Sequence, residues 1–216
     1  MQFRHAVLQP DGDGPFPTLI ALHGHGAHAL DLIGLSQFLP ENLLWLCPQA
    51  ENALAEVPGG FTWFHFGRED PRREEEIDGV IEGLRGFLDD VAGRYPIDPD
   101  RTVLLGFSQG GMLGYRLALA EPGRFAGFAA LSTTLSAESA AAIEPSDELK
   151  RLPVLVQHGT QDPTIAVDRA RESRERLEEL GVDLEYREYE MAHQVGTESA
   201  NDLASWLGNV LKLDAS

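Results

Sequence analysis

Cysteine is all but missing: Cys47 is the only one in 216 residues, so an internal disulfide is excluded. Its place between Leu46 and Pro48, at the end of an apolar run, reads as a small buried hydrophobe. Lysine is almost as scarce, with Lys150 and Lys212 alone, and 35 acidic side chains face 17 basic ones for a net charge of -18. That balance removes the cationic surface that nucleic acid or an anionic membrane would need. An acidic, lysine-poor surface fits a salt-rich cell and a GC-rich genome equally well. No apolar run approaches the roughly 18 residues of a membrane helix, so membrane insertion is not expected. Met1–His5 shows no basic segment leading into an apolar one, which makes the cytoplasm the expected location. There is no internal repeat.

What the chain does have is an ordinary hydrophobic share, 43%, and enough length to bury one full core, so residues 1–216 read as a single domain. Short apolar runs alternate with helical patterns. His5–Gln9 reads as an edge strand, and Thr18–Leu22 and Asn42–Cys47 as buried strands. Asp31–Leu39 is expected as a short helix, and Pro48–Phe61 as a long loop. Ile77, Val80, Ile81, Leu84, Phe87, Leu88 and Val91 recur at helical spacing, predicting an amphipathic helix within Pro71–Arg94. Further strands are expected at Phe125–Leu131, Leu152–Gln157 and Val182–Tyr189. Helices are expected at Val167–Leu180, stopped by Gly181, and at Thr197–Leu211. The alternation predicts an α/β fold: a mostly parallel, doubly wound sheet with helices on both faces and ligands at the carboxyl ends of the strands.

One strand carries a chemical signature. Val103-Leu104-Leu105 runs into Gly106-Phe107-Ser108-Gln109-Gly110, the Gly-x-Ser-x-Gly pattern in which a serine sits on a sharp turn from strand to helix. Flanking glycines remove the side chains that such a turn would bring into collision. The following helix points unpaired N–H groups towards the serine, which suits an oxygen that becomes anionic. Taken alone, the pentad is equally consistent with a glycine-rich turn holding an incidental serine.

A serine nucleophile needs a histidine base and an acid that orients it. The strand ending at Gln157 leads into His158-Gly159-Thr160-Gln161-Asp162-Pro163, and the strand ending near Tyr189 leads into Glu190-Met191-Ala192-His193. Asp162 and His193 thus follow predicted strands in the chain order serine, aspartate, histidine. Asp162 before Pro163 is also a common turn pair, and Asp168 and Asp183 compete for the acid's role. The aromatic group Phe61–Phe66, with Trp63 and Phe64 at its centre, fits core packing and the lining of a substrate pocket equally.

With these pieces in view, the chain resembles the phospholipase/carboxylesterase family of α/β hydrolases, which includes bacterial carboxylesterases and acyl-protein thioesterases. The matching segments are LHGHG at Leu22–Gly26, the Trp63-Phe64 pair, DPDRTVLLGFSQGG at Asp98–Gly111, HGTQDP at His158–Pro163 and the late histidine. The resemblance implies an α/β-hydrolase fold without a separate lid domain, with Ser108 as nucleophile, His193 as base and Asp162 as acid. It also implies an oxyanion hole from the backbone N–H groups of His25 and Gln109. No cofactor or metal is called for, and both monomer and homodimer are allowed. Where the family usually has glycines before the histidine, this chain has Glu190, Met191 and Ala192, side chains that could shift the loop or narrow the pocket.

The function expected on this basis is cleavage of small-molecule carboxylic esters or thioesters through an acyl-enzyme, with short to medium acyl chains and a groove partly lined by Trp63 and Phe64. Two other readings compete. His23, His25 and His28 have the spacing of a zinc-binding motif found in metallo-β-lactamase-type hydrolases, but Ala27 stands where that motif carries an aspartate. A hydrolase-like binding protein without activity is the second, set against the presence of all three triad residues.

Overall fold

Segments that are apolar at every position become strands buried on both faces. The computed structural model describes residues 3–65 and 73–213. In it β1 (His5–Leu8), β2 (Phe16–Leu22), β3 (Leu44–Pro48), β6 (Ile97–Phe107), β7 (Gly127–Leu131), β8 (Pro153–Gly159) and β9 (Asp183–Tyr189) form one sheet of order β1-β3-β2-β6-β7-β8-β9. Only β1 runs antiparallel to its neighbour; the other pairings are parallel. This is the mostly parallel sheet that the alternation of elements predicts, and it agrees with the α/β-hydrolase fold that the resemblance implies.

The pleat splits each strand between two cores. Ile20 and Leu22 of β2, Leu44 and Leu46 of β3, and Val154 and Val156 of β8 face one side with α1 (Arg73–Ala92), α2 (Gln109–Ala120) and Leu177 of α4 (Val167–Leu180). Leu19 and Ala21, Trp45 and Cys47, and Leu155 face the other, against Leu203, Trp206 and Leu207 of α5 (Thr197–Val210). The period of two in each strand therefore meets helices on both faces. Cys47 is fully buried there, and burial pushes its thiol pKa up to about 12. Among the described residues no helix is long and apolar enough to cross a membrane.

Three expectations need amendment. The helix read at Asp31–Leu39 is a 3-10 helix, Leu32–Gln37, closed by bonds such as Phe38 N–H to Leu35 O at 2.9 Å. Six residues that include Gly34 and Ser36 do not offset the cost of nucleating an α-helix. The loop Pro48–Phe61 contains half of a small hairpin, β4 (Asn52–Ala53) against β5 (Phe61–Thr62). The strand that leads into Ser108 begins earlier than its apolar run, because Ile97 pairs with Phe16 across a bulge. A short α3 (Ala137–Ala141), capped by the Ser136 hydroxyl, follows β7. Met1, Phe66, Pro71 and Arg72 lie outside the described residues.

Candidate active site

Ser108 lies between the last residue of β6 and the first of α2, with φ 51° and ψ -116°. A non-glycine residue in the left-handed region stores strain of about 1–3 kcal/mol, retained where surrounding bonds enforce it. Here they are explicit. The Ser108 N–H donates to Leu131 O at 2.9 Å, and the Ser108 carbonyl accepts from the Thr133 hydroxyl at 2.7 Å and from Gly111 N–H at 3.0 Å. The turn also requires close backbone approach: a Cβ on Gly106 would stand 2.5 Å from Gly110 O, and one on Gly110 would stand 2.2 Å from Leu22 O.

The candidate acid and base come from neighbouring strand ends. Asp162 follows β8, and its side chain is fully buried. Its Oδ1 accepts from Thr164 N–H at 2.8 Å and Ile165 N–H at 2.9 Å, and its Oδ2 faces His193 Nδ1 at 2.7 Å. Burial alone would raise the Asp162 pKa. The N–H of Ile165, the His193 ring and the N–H of Thr164 oppose it, and the carboxyl is held below its ordinary value. Since a carboxylate only accepts, His193 Nδ1 carries the proton of that bond, and Nε2 is left for another partner. The competitors are elsewhere: Asp168 is paired with Arg171, and Asp183 opens β9 at an exposed position.

The His193 ring packs against Phe107, the residue before Ser108, at 5.0 Å between centroids. Ser132, with φ 46° and fully buried, donates its hydroxyl to Gln194 O at 3.3 Å and ties this loop to the end of β7. Met191 answers the concern raised by the missing glycines. It is buried, its sulfur lies 3.6 Å from Ser199 Oγ, and its carbonyl accepts from Gln161 N–H. The side chain anchors the loop from beneath, and Gly159 is the residue that makes room, since a Cβ there would stand 2.2 Å from Met191 O.

On the other side of Ser108, the loop after β2 brings Gly24 against the serine; a Cβ on Gly24 would lie 3.3 Å from Ser108 Cβ. His25 is the next residue, and Gln109 opens α2, where the first N–H groups have no partner within the helix. The Gln109 side chain, fully buried, braces the aromatic segment. Its Nε2 donates to Phe64 O at 2.6 Å, and its Oε1 accepts from Trp63 N–H at 2.9 Å and the Thr62 hydroxyl at 3.1 Å. Thr62 Oγ1 is in turn 2.9 Å from His25 Nδ1.

The histidine cluster is part of this scaffold. His23 Nδ1 lies 2.8 Å from Gly24 O, and Nε2 accepts from Ala50 N–H at 3.1 Å. Both ring nitrogens are therefore spent on backbone groups, which removes His23 as a metal ligand. Burial holds its pKa down to about 4, so the ring is neutral at pH 7. His25 Nδ1 goes to Thr62 and His28 Nδ1 accepts from Leu30 N–H at 3.3 Å. Among the described residues no group of three or more histidine, cysteine, aspartate or glutamate side chains could hold a metal ion.

Trp63 and Phe64 are not where the groove reading puts them. Each is 1% exposed and belongs to the core, with the Trp63 indole donating to His23 O at 2.8 Å and packing edge-on against Phe3. The reason is local: both backbones are pinned by Gln109, which draws the pair inward beneath the loop after β2. The roles of Gln109's side chain, Ser132 and Thr133 are not legible in the sequence. The one available signal was a buried-type position holding glutamine inside GFSQGG.

A model of the phospholipase/carboxylesterase family matches residues 4–211, nearly the whole chain. The chain belongs to the phospholipase/carboxylesterase family. As a member it is a hydrolase. An acyl-protein thioesterase 1 from Gibberella zeae is 33% identical over 167 residues, which cover 74% of this chain and 71% of the thioesterase. Among solved structures, the esterase PE8 superposes with a TM-score of 0.85 at 24% identity, covering 98% of this chain and all of the other. A Bacillus cereus carboxylesterase does so with a TM-score of 0.82 at 20% identity, covering 96% and 94%. These two likenesses establish a shared fold.

Proposed function

We propose that this hydrolase cleaves carboxylic esters or thioesters through an acyl-enzyme formed on Ser108. The observation that carries the reading is the bond from His193 Nδ1 to the buried Asp162 Oδ2 at 2.7 Å, on the same sheet edge as a serine held at a strained strand-to-helix turn. That bond fixes the imidazole with its Nε2 lone pair available as a base. Ser108 Oγ attacks the carbonyl carbon while Nε2 takes the hydroxyl proton. The tetrahedral oxyanion is received by the backbone N–H groups of Gln109 and His25, with the positive end of α2 behind them. Collapse expels the alcohol or thiol, protonated by His193. Water then attacks the acyl carbon by the same route and regenerates Ser108.

The names of the relatives support esters and thioesters as the substrate class. No cofactor enters these steps. Short to medium acyl chains remain the expected preference, although the walls of the groove fall to residues other than Trp63 and Phe64. Steady-state hydrolysis of p-nitrophenyl acetate, butyrate and octanoate and of matching thioesters tests the reading. Ser108→Ala and His193→Ala should each lower kcat by on the order of 10³-fold or more. Undiminished turnover by Ser108→Ala, or activity abolished by a chelator and restored by zinc, would refute it.

A further inference from the structure

His158 occupies the next-to-last position of β8, is fully buried, and has no part in the steps above. We propose that it is a positioning residue for the Asp162–His193 pair, acting by closing the turn that carries the acid. The inference rests on the catalytic reading of that pair.

The turn is held from both ends of one residue. Ile165 gives its N–H to Asp162 Oδ1 at 2.9 Å, and its carbonyl lies 2.8 Å from His158 Nε2. A carbonyl only accepts, so Nε2 carries the ring proton. The third side of this triangle is the 3.4 Å separation of His158 Nε2 from Asp162 Oδ2. That same oxygen receives His193 Nδ1–H. His158, Ile165 and Asp162 thus form a closed unit that fixes the height and rotation of the carboxylate beneath the base.

The other ring nitrogen argues for the same role. His158 Nδ1 is buried with no hydrogen-bond partner among the described residues. Leaving a buried acceptor unpaired is costly, and an apolar side chain of similar size would avoid that cost. What an apolar side chain cannot supply is the Nε2–H. Glu188, its strand partner on β9, is engaged by Arg171 of α4 and by the Tyr186 hydroxyl. Without the Nε2–H, the Ile165 carbonyl loses its partner and the turn is no longer clamped. The carboxylate then loses its placement at hydrogen-bond distance from His193. Misplacement of a catalytic group on the scale of 1 Å costs turnover on the order of 100-fold.

The test compares His158→Gln with His158→Met in the full chain. Both approximate the imidazole in size, and only glutamine can return an N–H near the Nε2 position. The methionine variant should lose kcat on p-nitrophenyl acetate by about 10- to 100-fold with KM unchanged within about twofold, while the glutamine variant should stay within about threefold of wild type. The downfield proton resonance of His193 Nδ1–H should persist in wild type and the glutamine variant and disappear in the methionine variant. In the wild-type protein, independent of any variant's folding, nitrogen-15 shifts should place the His158 proton on Nε2. A methionine variant with wild-type kcat and an intact resonance would overturn the proposal. So would a glutamine variant as impaired as methionine, or a wild-type His158 protonated on Nδ1 alone. If Ser108→Ala instead retains esterase activity, the catalytic reading fails, and the His193 resonance still reports whether His158 positions the pair.

Discussion

Asp162 combines two features that seldom coexist, a fully buried side chain and a carboxyl pKa held below its ordinary value. The cause is that the N–H groups of Ile165 and Thr164 and the His193 ring together outweigh the desolvation that would raise it. Asp162→Asn keeps the shape but offers His193 Nδ1 a group that can also donate, which permits the wrong tautomer. Its kcat should fall by on the order of 10³- to 10⁴-fold with little change in KM, as read from ester hydrolysis. Because the folded-state pKa is depressed, the stability that Asp162 contributes is present above its unfolded value and is lost as pH falls through the folded one. His23 follows the same sign, its pKa lowered from 6.5 to about 4, chiefly by burial. Its contribution is complete above pH 6.5 and fades towards pH 4, amounting to roughly 3 kcal/mol at most. Thermal melts should show His23→Gln to be less stable than wild type at pH 8 and flatter between pH 6.5 and 4; parallel curves would contradict the assignment.

At the level of elements, the site depends on how tightly α2 is pressed against β2 and β6. A Cβ on Gly110 would meet the Leu22 and His23 carbonyls at 2.2 and 2.7 Å, and rigid backbone cannot yield as a side chain tip would. Gly110→Ala should therefore destabilise by about 1–3 kcal/mol or more. Gly79→Ala, on α1 with open space around it, should stabilise by about 0.5–1 kcal/mol. Denaturant midpoints check both, and a neutral Gly110→Ala would mean the turn is looser than described. The strands were legible because burial on both faces leaves unbroken apolar runs, as at Leu19–Leu22 and Leu44–Cys47, and α4 was legible to its last residue because Gly181 adopts the left-handed cap with φ 75°. Ser108, Asp162 and His193 were legible as candidates from the Gly-x-Ser-x-Gly pentad and from their places after predicted strands, with Asp168 and Asp183 left as competitors for the acid. The inward turn of Trp63 and Phe64 was not, since it depends on the Gln109 side chain reaching across 45 and 46 positions in sequence.

Across the whole molecule, the surplus of acid is sharpened by how the cations are used. On α4, Arg169, Arg171, Arg174 and Arg176 all pair with carboxylates, bonds that are worth little individually at a surface. A net charge of -18 then stands against any anionic substrate. Esters with anionic acyl groups should show low kcat/KM at low salt that rises as salt is added, while neutral esters change little, because the field is screened within about 10 Å at 0.1 M. A salt-independent ratio between the two substrates would rule out this long-range effect. The proposed nucleophile, Ser108, is open to direct chemical test. Reaction with a fluorophosphonate followed by peptide mass mapping should give one adduct, on Ser108, lost in Ser108→Ala together with ester hydrolysis. An adduct on another residue, with Ser108 unmodified, would contradict the account.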